Sequence, residues 1–236
     1  MSQFLLNIPT LEGIALLPVL RPAAIATCNE IAEYRGALQQ KYPEQAKKLR
    51  LRQASMGASS GKAIARTIQH LQPTNIFEIG TCAGIGAAYM CTAAELAGNP
   101  VNFVGMEGVP QKTEIALATL DYFCENTNIH IEQGHFDDTF EIAVQKALPL
   151  QFVYLDGRHK KPYTQYMFNH CVKNMPQGGL IICDDLYQPL QGDVATRLRR
   201  HPRVVRTLGV ANKLAFVVKE DDDAAARADI SGAPAG

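Results

Sequence analysis

Residues 75–89 read NIFEIGTCAGIGAAY, a short apolar run followed by a glycine-rich turn and the start of a helical pattern. The closely spaced Gly80, Gly84 and Gly86 let the backbone turn sharply and pass close to a ligand. The pattern is a poor match to a dinucleotide fingerprint, because Tyr89 stands where a third small residue belongs. The alternative is that the glycines serve packing alone. The stretch predicts a strand–turn–helix unit whose turn faces a ligand.

Strand and helix signals alternate on both sides of this unit. Short apolar runs lie at 75–79, 101–106, 129–132, 152–155 and 180–183. Helical segments separate them at 85–97, 112–126, 138–147 and 163–174. Two further runs, 204–208 and 214–219, are joined by so few residues that they pair only as an antiparallel hairpin. The order predicts an α/β fold with five parallel strands in a doubly wound sheet, closed by the hairpin.

The two ends of the chain differ from this alternating part. Residues 1–55 show helical periods without a convincing strand, and we expect an N-terminal helical extension there, acting as a lid or a dimer contact. The alternating domain occupies residues 56–220. Residues 221–236 are acidic and then rich in Ala and Gly, which predicts a disordered tail.

Composition excludes several classes of protein. The 236 residues carry 23 basic and 23 acidic side chains and no tryptophan, so nucleic acid is not the expected partner. No apolar run reaches the roughly 18–20 residues of a membrane span, and residues 8–20 lack the features of a signal peptide. The six cysteines form no C-x-x-C pair, which favours reduced thiols and a cytoplasmic location.

Polar residues that could bind a ligand follow the predicted strands. In open α/β sheets, ligands bind at the carboxyl ends of the strands. Glu107 ends the second strand, and its carboxylate has the geometry to accept both hydroxyl protons of a ribose; the alternative is a solvated loop residue. His135 and Phe136 follow the third strand and could hold a flat heterocycle, or they could simply begin a helix capped by Asp137 or Asp138.

Three carboxylates stand at the ends of the fourth and fifth strands, on Asp156, Asp184 and Asp185. Carboxylates this close repel one another unless a cation or proton lies between them. Oxygen ligands of this kind suit Mg²⁺ or a similar divalent cation. The alternative is that Asp184 or Asp185 caps a helix while Asp156 pairs with Arg158 or Lys160.

These residues resemble the motifs of the class I S-adenosylmethionine-dependent methyltransferases, particularly the O-methyltransferases related to the catechol and macrocin enzymes. Glu78-x-Gly80-x-x-x-Gly84-x-Gly86 is similar to the first motif of that family, and Glu107 to its ribose-binding acid. The stretches GHFDDT, FVYLDG and GGLIICDD are similar to the later motifs. The resemblance covers about residues 56–219 and implies a Rossmann-like sheet of seven strands ending in an antiparallel hairpin.

The resemblance also implies roles for residues. The expected cofactor, S-adenosylmethionine, would contact Met56, Glu78, Gly80, Gly84, Gly86, Glu107, Gly108, His135, Phe136 and Asp156. Asp156, Asp184 and Asp185 would hold a divalent cation such as Mg²⁺, which lowers the pKa of the acceptor hydroxyl. The expected reaction is metal-assisted methylation of a hydroxyl on a small molecule, and many relatives are homodimers.

The chain departs from the family pattern after Asp156. Arg158 replaces an aspartate that could act as base, so His159 and Lys160 are the candidate bases, and Arg158 favours an anionic group on the substrate. One alternative is a metal-independent N- or C-methyltransferase that uses His159. Another is a non-catalytic cofactor-binding module or a nicotinamide dehydrogenase.

Overall fold

A computed structural model describes residues 19–157, 159–186 and 192–219. Its centre is a sheet of seven strands in the order β3-β2-β1-β4-β5-β7-β6. The strands are β1 Asn75–Ile79, β2 Asn102–Glu107, β3 Asn128–Gln133, β4 Phe152–Leu155, β5 Leu180–Cys183, β6 Val204–Val210 and β7 Lys213–Val218. The first five are parallel, whereas β7 runs antiparallel to both β5 and β6. The predicted fold class, including the C-terminal hairpin, is confirmed.

Helices cover both faces of the sheet. They are α1 Pro22–Lys41, α2 Pro43–Leu49, α3 Leu51–Ala54, α4 Ala58–Leu71, α5 Ile85–Leu96, α6 Pro110–Phe123, α7 Phe136–Ala147, α8 Lys161–Lys173 and α9 Val194–Arg199. Helix α6 begins two residues before the predicted start, because Pro110 fits the first helical position, where no backbone N–H is needed. Helix α9 was not predicted, since six residues carry too little of a helical period.

The alternation of side chains along each strand produces two cores. In β1, Ile76 faces the core formed with α1, α4 and α5, whereas Phe77 and Ile79 face the core formed with α7 and α8. Successive side chains of a strand point to opposite faces, so apolar residues at every position require helices on both sides. This double cover leaves the ends of the strands as the place where a ligand can enter.

The N-terminal helices are part of the same packed body. Ile31 and Leu38 of α1 are fully buried against the first core. The Tyr89 hydroxyl of α5 donates to the Cys28 carbonyl oxygen at 3.2 Å. The domain division at residue 55 stays a prediction, and the segment 1–18 and the tail 221–236 lie outside the described residues. In the described ranges, every helix is too short or too polar to cross a bilayer.

Candidate active site

A cavity of about 520 Å³ opens at the carboxyl ends of the parallel strands. Strand β1 pairs with β2 on one side and with β4 on the other, so the order of the chain reverses between β1 and β4. Such a reversal leaves a crevice because the flanking connections lead to opposite faces. The cavity wall includes Met56, Gly80, Cys82, Glu107, Phe136, Asp156, His159, Asp184, Asp185 and Lys213.

Each of the three glycines in the β1–α5 turn is required for a different structural reason. Gly80 lines the cavity with φ +97°, and a Cβ there would lie 2.5 Å from the Asp156 carbonyl oxygen. Gly84 has φ +76°, and its Cβ would lie 2.9 Å from the Ala116 backbone. A Cβ on Gly86 would lie 2.5 Å from Glu78 Oε1. Packing therefore explains all three glycines, and Gly80 in addition brings backbone to the cavity wall; contact of Gly84 and Gly86 with a cofactor stays a prediction.

Glu107, at the end of β2, is the buried acid of the cavity wall. Its Oε2 accepts a hydrogen bond from the Cys82 N–H at 2.9 Å, and its Oε1 accepts one from the Val109 N–H at 2.9 Å. An ionised carboxylate offers about four lone-pair positions, so each oxygen keeps one for a ligand hydroxyl. Gly108, which follows, is exposed and does not line this cavity. The fork predicted for a ribose is therefore present in Glu107, held in a fixed orientation.

The two predicted site residues after β3, His135 and Phe136, lie in different surroundings. Phe136 is the first residue of α7 and lines the cavity, with its ring beside Gly157. His135 is the N-cap residue of that helix. Its side chain is 61% exposed, and its Nδ1 lies 3.3 Å from an Asp137 carboxylate oxygen. The sequence allowed His135 to contact a ligand or to begin a helix. The structure places it at the start of the helix, away from the cavity wall.

Glu78 and Met56 lie behind the glycine turn. Glu78 is buried, and among the described residues its Oε2 has no hydrogen-bond partner. Burial, followed by the nearby Asp156 carboxylate, raises the pKa of Glu78 well above its ordinary value. Met56 is buried just before α4 and lines the cavity. A buried, unsatisfied carboxyl group next to a cavity is suited to a cationic or hydrogen-bonding ligand.

The acidic group at the ends of β4 and β5 is closely packed. Burial, and next the charge of Asp184, raises the pKa of Asp156 well above its ordinary range. His159 reaches both neighbours, with Nε2 3.8 Å from Asp156 Oδ1 and Nδ1 3.6 Å from Asp185 Oδ2. One ligand atom from each of Asp156, His159 and Asp185 lies within 4.8 Å of the others. These three side chains form a possible cation site.

Asp184 differs from its neighbours because its carboxylate is already engaged. The buried Lys213 ammonium and the Tyr154 hydroxyl, at 2.9 Å, both donate to Asp184 Oδ2. The Asp185 backbone N–H donates to Asp184 Oδ1 at 2.8 Å. The metal set Asp156, Asp184 and Asp185 stays a prediction, but the side chains whose ligand atoms converge include His159 and leave Asp184 out.

The remaining candidate bases are distributed unevenly. Lys160 is exposed at the start of α8, where its carbonyl oxygen accepts the N–H groups of Tyr163 and Thr164. It does not line the cavity, whereas His159 does. Arg158 lies outside the described residues. His159 is thus the described candidate base that reaches the cavity.

Sequence reasoning missed three cationic side chains of the cavity wall, Arg35, Lys112 and Lys213. Arg35, on α1, donates to the backbone oxygens of Ser55 at 3.2 Å and of Arg52 at 2.6 Å. No local motif surrounds Arg35 or Lys213, and only the fold brings them to the strand ends. For Lys213 a signal did exist, since a lysine beginning an otherwise apolar strand needs a buried partner.

Two residues of the cavity wall have backbone angles that non-glycine residues rarely adopt. Cys82 and Asp185 both line the cavity with positive φ, +51° and +55°. A non-glycine residue held in the left-handed region costs of order 1 kcal/mol or more and occurs often at functional sites. Arg50, Gln72 and Ala211 also have positive φ and do not line the cavity, so backbone strain does not by itself distinguish the cavity.

Comparisons with known proteins give one family and a consistent fold. Residues 77–186 match the family described as methyltransferase domain. A comparison with curated protein sequences finds no match. The residues 77–186 that match the family run from β1 to just beyond β5. They contain the glycine turn, Glu107 and the aspartates Asp156, Asp184 and Asp185.

Among solved structures, the chain is similar to a Podospora anserina methyltransferase bound to SAH, with TM-score 0.62 and 14% identity over 88% of this chain and 92% of that one. It is similar to the O-methyltransferase TomG of Streptomyces achromogenes in complex with SAM, with TM-score 0.61 and 18% identity over 87% and 93%. An O-methyltransferase of Bacillus cereus in complex with SAH gives TM-score 0.58 and 18% identity over 83% and 91%. At these identities the likeness establishes the fold.

Proposed function

Because residues 77–186 match the family described as methyltransferase domain, we propose that this protein transfers the methyl group of S-adenosylmethionine to a hydroxyl group of a small molecule. The observation that carries the proposal is the Glu107 carboxylate, which two backbone N–H groups hold at the cavity wall with lone pairs to spare. A rigid acceptor pair at the end of β2 suits the two hydroxyls of a ribose. The cofactor complexes of similarly folded methyltransferases support the choice of S-adenosylmethionine.

The other walls of the cavity suit the remaining parts of this cofactor. Phe136 offers an aromatic face for the adenine at the start of α7. Met56 and Gly80 would border the methionine portion, with the backbone at Gly80 close enough to contact it. Burial raises the pKa values of the Glu78 and Asp156 carboxyl groups, and the ammonium and sulfonium charges of the cofactor would favour their ionised forms.

A divalent cation fits part of the acidic group. Asp156, His159 and Asp185 would hold it, since their ligand atoms converge and two of the side chains are carboxylates. When bound, the cation supplies Lewis acidity that lowers the pKa of the acceptor hydroxyl. Burial, and next the like charge of Asp184, raises the pKa of Asp156, and a cation there would offset both effects.

The residues of the chain contribute alignment and electrostatics. The fixed Glu107 fork and the Phe136 ring would hold the cofactor, which supplies the methyl group, in the cavity that Asp156 and Asp185 also line. An in-line approach of the acceptor oxygen to the sulfonium carbon then needs little reorganisation. His159, 36% exposed beside both aspartates, would take the hydroxyl proton in the absence of the cation.

A metal-independent N- or C-methyltransferase is the second candidate. It is favoured by the Lys213 ammonium, which already neutralises Asp184 without a metal. Arg35 and Lys112 on the wall support an acidic group on the substrate, whereas the charge of Lys213 is already paired with Asp184. The same preference inferred for Arg158 stays a prediction, which Arg158→Ala tests through a steep rise in KM. The homodimer and the cytoplasmic location also stay predictions.

The test is the release of S-adenosylhomocysteine from S-adenosylmethionine, measured over a panel of small hydroxylated and aminated acceptors with and without EDTA. We expect turnover on hydroxylated acids that EDTA reduces. Turnover only on amines, unaffected by EDTA, would favour the second candidate. The variant Glu107→Ala, which removes the ribose fork, should lose turnover on every acceptor.

A further inference from the structure

Lys213 places a permanent cation inside the acidic crevice. It is the first residue of β7, and its side chain is only 4% exposed. Its ammonium donates to Asp184 Oδ2 and, at 3.3 Å, to Asn212 Oδ1. Burying an ammonium is costly unless it is paired and hydrogen-bonded, so this contact is an integral part of the fold.

The pair changes what Asp184 can do. Its Oδ2 accepts from both Lys213 and the Tyr154 hydroxyl, and its Oδ1 accepts from the Asp185 N–H. A divalent cation on Asp184 would lie next to the ammonium, where two positive charges repel strongly. Asp184 therefore does not fit the role of a metal ligand while Lys213 holds it.

The charges that remain match one divalent cation. Burial and the charge of Asp184 raise the pKa of Asp156, and a bound cation would favour its ionised form. With Asp156, Asp184 and Asp185 all ionised, the group carries three negative charges, and Lys213 neutralises one of them. The two charges left lie on Asp156 and Asp185, which flank His159 at 3.8 and 3.6 Å. A cation held there would have two oxygen ligands and one imidazole nitrogen.

We propose that Lys213 sets the metal preference of this protein, by withholding Asp184 and leaving a site of Asp156, His159 and Asp185 that selects Mn²⁺ over Mg²⁺. The selectivity follows from the nitrogen ligand, because imidazole suits transition metals while Mg²⁺ prefers an all-oxygen shell. The inference rests on the proposed function only in that it places the cation in the same cavity.

The experiment is Mn²⁺ binding followed by electron paramagnetic resonance, in which free Mn²⁺ gives the signal and Mg²⁺ is added as competitor. We expect the unaltered protein to bind one Mn²⁺ and Mg²⁺ to compete only at about tenfold or higher concentration. His159→Asn should weaken Mn²⁺ binding and abolish the preference. Lys213→Met should tighten Mg²⁺ binding about tenfold or more, since a positive charge is removed and Asp184 becomes available.

Lys146→Met is the matched control, because Lys146 also donates to a carboxylate, that of Glu132 at 2.6 Å, but does not line the cavity. It should leave both affinities unchanged. Lys213→Gln replaces Lys213→Met if the latter does not fold, as judged by circular dichroism. His159 is partly exposed, so His159→Asn is expected to fold and gives a test that does not depend on either lysine variant.

Three results would overturn the inference. They are equal competition by Mg²⁺ and Mn²⁺ in the unaltered protein, an unchanged preference in His159→Asn, and an Mg²⁺ affinity that Lys213→Met does not tighten. Calorimetry with S-adenosylhomocysteine on the same samples separates the two proposals. Cofactor binding without any Mn²⁺ binding refutes this inference alone, whereas Mn²⁺ binding without cofactor binding refutes the proposed function alone.

Discussion

The replacement Glu107→Gln tests how the cofactor ribose would be held. Both carboxylate oxygens of Glu107 accept a backbone N–H at 2.9 Å, from Cys82 and Val109. In the amide, one oxygen becomes an NH₂ group that cannot accept, so one backbone N–H loses its partner. The same group can no longer accept a ribose hydroxyl. The change therefore removes one fixed contact in the protein and one contact to the ligand.

The size of the effect follows from the charge on these bonds. A hydrogen bond to a charged group contributes about 1.5–3 kcal/mol, so losing one ribose contact should raise the Kd for S-adenosylhomocysteine roughly 10- to 150-fold. The buried N–H without a partner should lower the free energy of unfolding by about 1–3 kcal/mol. Isothermal titration calorimetry measures the first quantity, and urea unfolding followed by circular dichroism measures the second.

Glu95→Gln is the matched control for this experiment. The Glu95 carboxylate also accepts backbone N–H groups, from Glu125 at 3.1 Å and Asn126 at 2.9 Å, but it does not line the cavity. It should reduce stability without changing the Kd for S-adenosylhomocysteine. If Glu107→Gln and Glu95→Gln change the Kd equally, or if neither changes it, the assignment of Glu107 to the ribose is refuted.

Further predictions concern the turn, the buried acid and the N-terminal helix. Gly80→Ala places a Cβ 2.5 Å from the Asp156 carbonyl oxygen at φ +97°. We therefore expect the free energy of unfolding, measured by thermal unfolding, to fall by about 3 kcal/mol or more. An unchanged Tm would contradict this. Glu78 has a pKa raised in the folded protein, so its destabilising effect grows as pH rises from the unfolded pKa through the folded one. Glu78→Gln should therefore raise the Tm of the cofactor-free protein at pH 7, with a gain that shrinks toward pH 4; a gain independent of pH would be inconsistent with a raised pKa. Arg35→Met removes two hydrogen bonds to the backbone before Met56 and should weaken S-adenosylhomocysteine binding several-fold by calorimetry, whereas an unchanged Kd would mean that α1 does not shape the cavity.

The sequence predicted well what local patterns and strand order determine. Alternating apolar runs identified the five parallel strands, and the short connection between the last two runs fixed the antiparallel hairpin. Gly209, expected in that connection, lies within β6, which continues to Val210. Glu107 could be predicted because the last residue of a parallel strand lies at the ligand-binding edge whatever its neighbours do. The same rule brought Asp156, Asp184 and Asp185 to one place.

Contacts between distant segments escaped prediction. Lys213 and Asp184 are 29 residues apart, and only the pairing of β7 with β5 brings them together. Arg35 reaches the cavity because α1 packs beside α4 and α5, a placement that helical periods do not encode. His135 is the N-cap residue of α7 and does not line the cavity, whereas its neighbour Phe136 does, so contact of His135 with a cofactor stays a prediction.

The most direct test of the central claim is calorimetric titration of the purified protein with S-adenosylmethionine and S-adenosylhomocysteine, with NAD as control and with Glu107→Ala in parallel. We predict micromolar binding of both sulfur ligands, no binding of NAD, and loss of binding in the variant. Binding of NAD, or no binding of either sulfur ligand, would contradict the assignment of the cavity to this cofactor.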